Sequence, residues 1–135
     1  MTKANFDAKR MFRAAVIGGA IAGVVNVALF FLGSSLGASY IMTMAGQPPQ
    51  PIPPFMPMVN SVMAGVVGAG LLIGLRKLAP AKVMPVFFAI CALVFALFTF
   101  LAFRALPADT TGMMMLQLMH VVTAVGVLGA MRKAM

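Results

Sequence analysis

Carboxylates are nearly missing from this chain: its 135 residues include two, Asp7 and Asp109, and no glutamate. That excludes the paired acids of glycosidase-type hydrolysis. Neither aspartate lies in an apolar run, so the buried acid on which proton-coupled small multidrug exporters depend is missing as well. A single cysteine, Cys91, excludes an intramolecular disulfide. A single histidine, His120, with no Cys, Asp or Glu close in sequence, falls short of the three protein ligands of a hydrolytic metal centre. Without a catalytic constellation, the chain reads as non-enzymatic.

Charge of either sign is scarce. Only 9% of the residues are charged and 62% are hydrophobic, against about a quarter charged in soluble domains. Four runs free of Asp, Glu, Lys and Arg cover approximately residues 14–36, 55–75, 83–103 and 112–131. About 20 such residues suffice to cross a hydrocarbon core as a helix. In lipid every backbone N–H and C=O must be paired within its own segment or in a closed barrel, and these runs are too long and uniform for barrel strands. The expected fold is all-α: a single membrane domain over residues 1–135, an integral four-helix transmembrane bundle with a Pro-rich outer loop at 37–54.

Nine of the ten basic residues precede the first run, lie between the second and third, or follow the fourth; only Arg104 falls on the other side. This asymmetry predicts an N-in/C-in topology with the lipid bilayer as partner, and it accounts for the net charge of +8 without nucleic acid. The segment Lys3–Arg13 has the composition of a short amphipathic surface helix. The basic-then-apolar start imitates a secretory signal with a small-residue site at Ser35-Leu36-Gly37, but its apolar run of about 19 residues exceeds a signal core.

The connector QPPQPIPPFMP, residues 47–57, holds six prolines. Proline lacks an N–H and fixes φ, which predicts an extended, polyproline-like segment lying over the outer helix ends, as strap or lid, with Pro57 in the first turn of the second helix. Between the third and fourth runs, the third helix is expected to end near Pro107, and Asp109 or Thr110 to cap the fourth. Gly19/Gly23, Gly33/Gly37 and Gly70/Gly74 form GxxxG pairs, and Gly126/Ala130 a small-xxx-small pair. Such spacing lets helix backbones approach closely, within one bundle or between copies.

Polar residues inside the runs are few: Asn26, Asn60, Ser61, Thr99, Gln117, His120 and Thr123. At a rise of about 1.5 Å per residue, Asn26 lies near mid-membrane, while Asn60, Thr99, Gln117 and His120 lie in the outer half. Asn26, Asn60, Thr99, Gln117 and His120 are therefore the ligand-binding candidates, their alternative role being interhelical hydrogen bonding. Methionine is abundant, 14 residues. Met113, Met114, Met115 and Met119 with His120 offer soft ligands for Cu(I), or else flexible apolar packing.

The order of a basic start, AGVVNVALFFLG, QPPQPIPP, a glycine-rich second span and a final LQLMHVVTAVGVL resembles an uncharacterised domain-of-unknown-function family of small four-span bacterial membrane proteins. The resemblance implies fold and topology only, and matches Asn26, the Pro-rich loop and His120 to shared positions. It carries no activity. The expected location is a bacterial cytoplasmic (inner) membrane. Two readings of function remain: an accessory or assembly component or self-associating bundle, acting as a homo-oligomer or within a larger membrane complex; or binding or passage of a small apolar ligand or Cu(I) through an outer-leaflet site.

Overall fold

The computed structural model describes residues 7–43, 46–78, 80–105 and 109–134. Four helices, α1 (Ala8–Ser35), α2 (Met56–Leu78), α3 (Val83–Ala105) and α4 (Thr110–Ala134), run alternately up and down. All four are long and apolar enough to cross a membrane. A hairpin of β1 (Ile41–Met42) and β2 (Gln50–Pro51) joins α1 to α2, and a 3-10 turn at Pro80–Lys82 joins α2 to α3. The hairpin lies at one end of the bundle. The described basic residues other than Arg104 lie at the opposite end, and Arg104 stacks its guanidinium 5.3 Å from the Phe100 ring centroid.

Asp7 starts α1. Its backbone is extended, and its carboxylate Oδ1 accepts from the amides of Lys9 at 2.9 Å and Arg10 at 3.0 Å, satisfying two of the donors that a helix start leaves open. The helix continues without a break into the apolar run, so Ala8–Arg13 form its first turns and not a separate surface helix; Lys3 to Phe6 lie outside the described residues. At the other end the Ala38 amide donates to Gly33 O at 2.9 Å and the Gly37 amide to Ser34 O at 3.1 Å, a Schellman closure. Gly37 has φ +91° and open space where a Cβ would stand. Its glycine serves this left-handed closure and not helix contact.

α1 is the central helix, with a small-residue groove on each side. Toward α2, a Cβ on Gly19 would lie 2.5 Å from Ser61 O and one on Gly23 2.7 Å from Met58 Sδ, while Gly65 of α2 sits against the Ala15 carbonyl. Toward α4, a Cβ on Gly18 would lie 2.6 Å from Gly126 O, and one on Gly126 2.9 Å from the Ala22 methyl. Lipid tails are as apolar as leucine, so backbone proximity and dispersion supply association here. Gly70 and Gly74 differ: nothing lies within 4 Å of a Cβ at either position.

α3 packs only lightly, against α2 and α4. Of its described residues, Val83 and Phe87 are buried, and they join Met11, Ala15, Ala69, Leu72, Val127 and Met131 in the core cluster of the basic half. Its distal part, with Leu93 70% exposed, faces outward. At the hairpin end a second cluster gathers Phe30, Ala38, Tyr40 and Met119.

Within the proline-rich connector, Gln50–Pro51 pair with β1 in a two-residue ladder where an extended, polyproline-like stretch was expected. Ile41 pairs with Pro51 and Met42 with Gln50. Pro51 has no N–H to give, which keeps the ladder short; the next available amide, Ile52, donates to Tyr40 O at 2.8 Å. Pro57 lies in the first turn of α2. Pro107 lies outside the described residues.

These environments predict opposite outcomes for one chemical change. Gly19→Ala forces a methyl into the Ser61 backbone, with an expected loss of about 1–3 kcal/mol. Gly70→Ala enters open space and is expected to be neutral or to gain up to about 1 kcal/mol of helix propensity. Reversible unfolding in mixed micelles checks both.

Candidate functional site

The most buried polar side chains, Asn26 at 2% exposure and Ser61 at 1%, meet in the bundle interior. The stripe Gly19, Ala22, Asn26, Phe30, Gly33 turns Asn26 inward from α1, and the stripe Pro57, Ser61, Gly65, Ala69 turns Ser61 inward from α2. Thr123 completes the group from α4. Asn26 Nδ2 lies 2.9 Å from Ser61 Oγ, 2.8 Å from Thr123 Oγ1 and 3.1 Å from Met119 O.

The two hydroxyls are also held along their own helices. Ser61 donates its hydroxyl proton to Pro57 O at 2.7 Å and Thr123 donates its own to Met119 O at 2.9 Å, each along its own helix. Both hydroxyl oxygens accept from the Asn26 amide, and they lie 3.0 Å from each other. The result is a polar knot joining α1, α2 and α4. Asn26 Oδ1, also buried, has no partner among the described residues.

A second polar contact holds α3 to α4. Thr99 donates to Gln117 Oε1 at 3.0 Å. One turn deeper, His120 Nδ1 lies 2.7 Å from Leu116 O. A carbonyl can only accept, so Nδ1 carries the proton. Phe95 meets the imidazole edge-on at 6.5 Å and Phe98 lies tilted at 6.1 Å.

Of the five residues expected to share a ligand site, Asn26 belongs to the first group, while Thr99, Gln117 and His120 form the second. Asn60 is exposed on the outer side of α2, about 100° around the helix from Ser61. The methionines diverge in the same way. Met114 is 69% exposed, Met113 is half-buried, Met115 lies against Gly33, and Met119 is buried with Phe30 and Tyr40. Among the described residues no group of three or more His, Cys, Asp or Glu side chains is arranged to hold a metal ion.

A third feature, at the hairpin end, starts from the helix cap expected at Asp109 and adds ties to Ser39 and Tyr40 that the sequence did not point to. Asp109 caps α4 by accepting from the Gly112 amide at 2.7 Å through Oδ1. Its Oδ2 accepts from the Ser39 amide at 2.9 Å, the Ser39 hydroxyl at 2.8 Å and the Tyr40 amide at 3.2 Å. One carboxylate thus starts α4 and ties it to the chain leaving α1. Tyr40 has φ +48°, uncommon for a bulky residue. Its buried ring stacks on Phe30 at 4.2 Å, with the hydroxyl against Gly33, where any side chain would collide with it. Burial, and then the Asp109 charge, push the Tyr40 phenol above its usual range. For Asp109 burial alone acts upward, but the bonds from Gly112, Ser39 and Tyr40 outweigh it and hold the carboxyl below its ordinary value.

A depressed carboxyl pKa adds stability that is present above the unfolded value, about 4, and is lost as pH falls through the folded value. The hairpin anchor is therefore expected to hold from neutral pH down to about 4 and to loosen only in stronger acid. Asp109→Asn, which cannot offer both acceptor oxygens, is expected to accelerate exchange of the Tyr40 amide at least about tenfold at neutral pH, equivalent to the ~1.5 kcal/mol of one charge-assisted bond. Amide hydrogen exchange with mass-spectrometric readout checks both.

Comparison with curated proteins returned no match, and comparison with solved structures returned none. A family model does match, over residues 6–135, spanning all four helices and the hairpin. The chain belongs to this family of unknown function, DUF6069.

Proposed function

We propose that this multi-pass membrane protein is non-enzymatic and works by association, as an accessory or assembly component or a self-associating bundle, its intramembrane polar groups fixing how the helices pack. The observation that carries this reading is the knot of Asn26, Ser61 and Thr123, in which polar side chains from three helices bond to one another. A contact of this kind contributes about 0.6 kcal/mol, with a maximum near 1.7. Surface for a further helix is supplied by α2, where Asn60, Val67, Gly70 and Gly74 share a face and the two glycines leave its backbone open. The basic end favours an N-in/C-in orientation, and the location proposed is a bacterial cytoplasmic membrane.

Native mass spectrometry in mild detergent tests the proposal. The expected spectrum contains assemblies of the protein, with itself or with a co-purified membrane protein, and Gly70→Leu with Gly74→Leu diminishes them. A monomer carrying one stoichiometric non-lipid small molecule, lost on Asn26→Leu, would overturn it.

One observation favours the ligand reading in a different place. A groove of about 260 Å³ at the hairpin is lined by Met42, Gln50, Pro51, Ile52, Pro53 and Met56, so two thioethers face one space. Under this second reading the groove takes Cu(I) or a small apolar ligand. Paired Met42→Leu and Met56→Leu changes are then expected to abolish Cu(I) binding measured against a competing chelator. Binding that survives them but disappears with Met113, Met114 and Met115 changed to Leu would move the metal to α4 and His120.

A further inference from the structure

The contact that holds α3 to α4 leaves polar atoms unused. The carbonyl oxygen of Gln117 accepts from the Thr99 hydroxyl. The other end of the same amide, Nε2, carries two protons to donate, is buried and has no hydrogen-bond partner among the described residues. His120, three residues on and on the same face of α4, donates from Nδ1 to Leu116 O, so its Nε2 offers a lone pair. A buried amide N–H without an acceptor costs free energy, and in a bilayer core no water is at hand to supply one.

The surroundings restrict what can meet these atoms. Gln117 and His120 lie about 10 and 15 Å along α4 from Thr110, within a span long and apolar enough to cross a membrane. Both carboxylates of the chain are engaged elsewhere, Asp109 at the start of α4 and Asp7 at the start of α1. α3 is the lightly packed helix, and the two rings it sets beside the imidazole, Phe95 and Phe98, are 38% and 52% exposed. The seam therefore reaches the lipid-facing surface, and an occupant arrives from the hydrocarbon phase.

Such an occupant needs an oxygen that accepts from Gln117 and a proton that it gives to His120. A single hydroxyl supplies both. An ether or ester oxygen can only accept. The two phenylalanine rings add aromatic contacts, which favour a hydroxyl carried on a ring over one carried on an alkyl chain.

We propose that the α3–α4 seam binds a lipid-soluble phenol, its hydroxyl accepting from Gln117 Nε2 and donating to His120 Nε2 while its ring packs against Phe95 and Phe98. The site uses atoms left over from the packing contacts, so it does not rest on the association role proposed above, and its test has a separate readout.

His120 is the single histidine of the chain, so isotope-labelled histidine gives one set of imidazole signals in NMR spectra. Titration of the full chain in micelles at constant pH with para-hexylphenol is expected to shift the Nε2 resonance saturably. The methyl ether, para-hexylanisole, lacks the hydroxyl proton and is expected to bind at least about tenfold more weakly, the scale of one hydrogen bond. Decanol, with a hydroxyl but no ring, is expected to bind about fivefold more weakly, the scale of one aromatic pair. Gln117→Leu removes the donor and should weaken the phenol about tenfold. Asn60→Leu removes an amide on the outer side of α2 and should leave it within about twofold. Circular dichroism checks folding, and if Gln117→Leu fails to fold, the phenol against its methyl ether on the unaltered chain decides. Equal binding of phenol and ether, a response that rises without saturating, phenol binding unchanged by Gln117→Leu, weakened as much by Asn60→Leu, or matched by decanol would each overturn the site.

Discussion

The structure depends on how closely the backbone of α1 approaches its two neighbours. In lipid, burying a leucine against another helix gains little over burying it against an acyl chain, so what decides association is contact that lipid cannot make. α1 achieves this with Ala15, Gly19 and Gly23 toward α2 and Gly18 and Ala22 toward α4. Only at that separation can an asparagine, two bonds beyond its Cβ, reach hydroxyls on both neighbours. The knot of Asn26, Ser61 and Thr123 is a consequence of the glycine grooves, which bring its three helices within hydrogen-bond reach.

The two carboxylates show a similar economy. Each opens a helix: Asp7 accepts from the first-turn amides of α1, and Asp109 from that of α4. A negative group at a helix start meets the positive end of the dipole, whatever the charge of the surroundings. Asp109 does more, because its second oxygen gathers three donors from Ser39 and Tyr40 and so fixes the path of the chain above the bundle. Tyr40 can hold its left-handed backbone there because stacking on Phe30, the Asp109 bond and the Ile52 bond all act on the same residue.

Much of this was legible in the sequence, for identifiable reasons. Four helices follow from uncharged runs long enough to span, and close contact at Gly19 and Gly23 follows from their spacing. Which polar residue faces inward was harder to read. Asn60 is the larger polar group, yet Ser61 shares the stripe of Pro57, Gly65 and Ala69, and in a lipid-facing helix that small-residue stripe marks the interior better than polarity does. Apolar outer faces erase the amphipathic signal that soluble helices carry. Gly33/Gly37 reads as a packing pair because capping and contact use the same residue; only the φ of +91° at Gly37 separates them. The hairpin escaped because proline density argues against a ladder, whereas two paired positions with Ile52 as the donor need little from the prolines.

α3 is the exception that clarifies the rest. It is the most apolar of the four helices, yet none of its described residues sits in a groove of small residues like those beside α1. Its attachment rests on Val83 and Phe87 near the basic end, and farther along on Thr99 with Gln117 and on Phe95 and Phe98 beside His120. Hydrophobicity sets how readily a helix enters the bilayer, but adds little once both alternatives, lipid and protein, are apolar. The bundle therefore divides by composition: three helices joined through glycine, alanine and an asparagine, and a fourth held by a few side-chain contacts. A change that leaves α3 apolar but removes the Thr99 hydroxyl or the ring of Phe95 acts on its position against α4, whereas the close backbone contacts at Gly18, Gly19, Gly65 and Gly126 are made among α1, α2 and α4 alone.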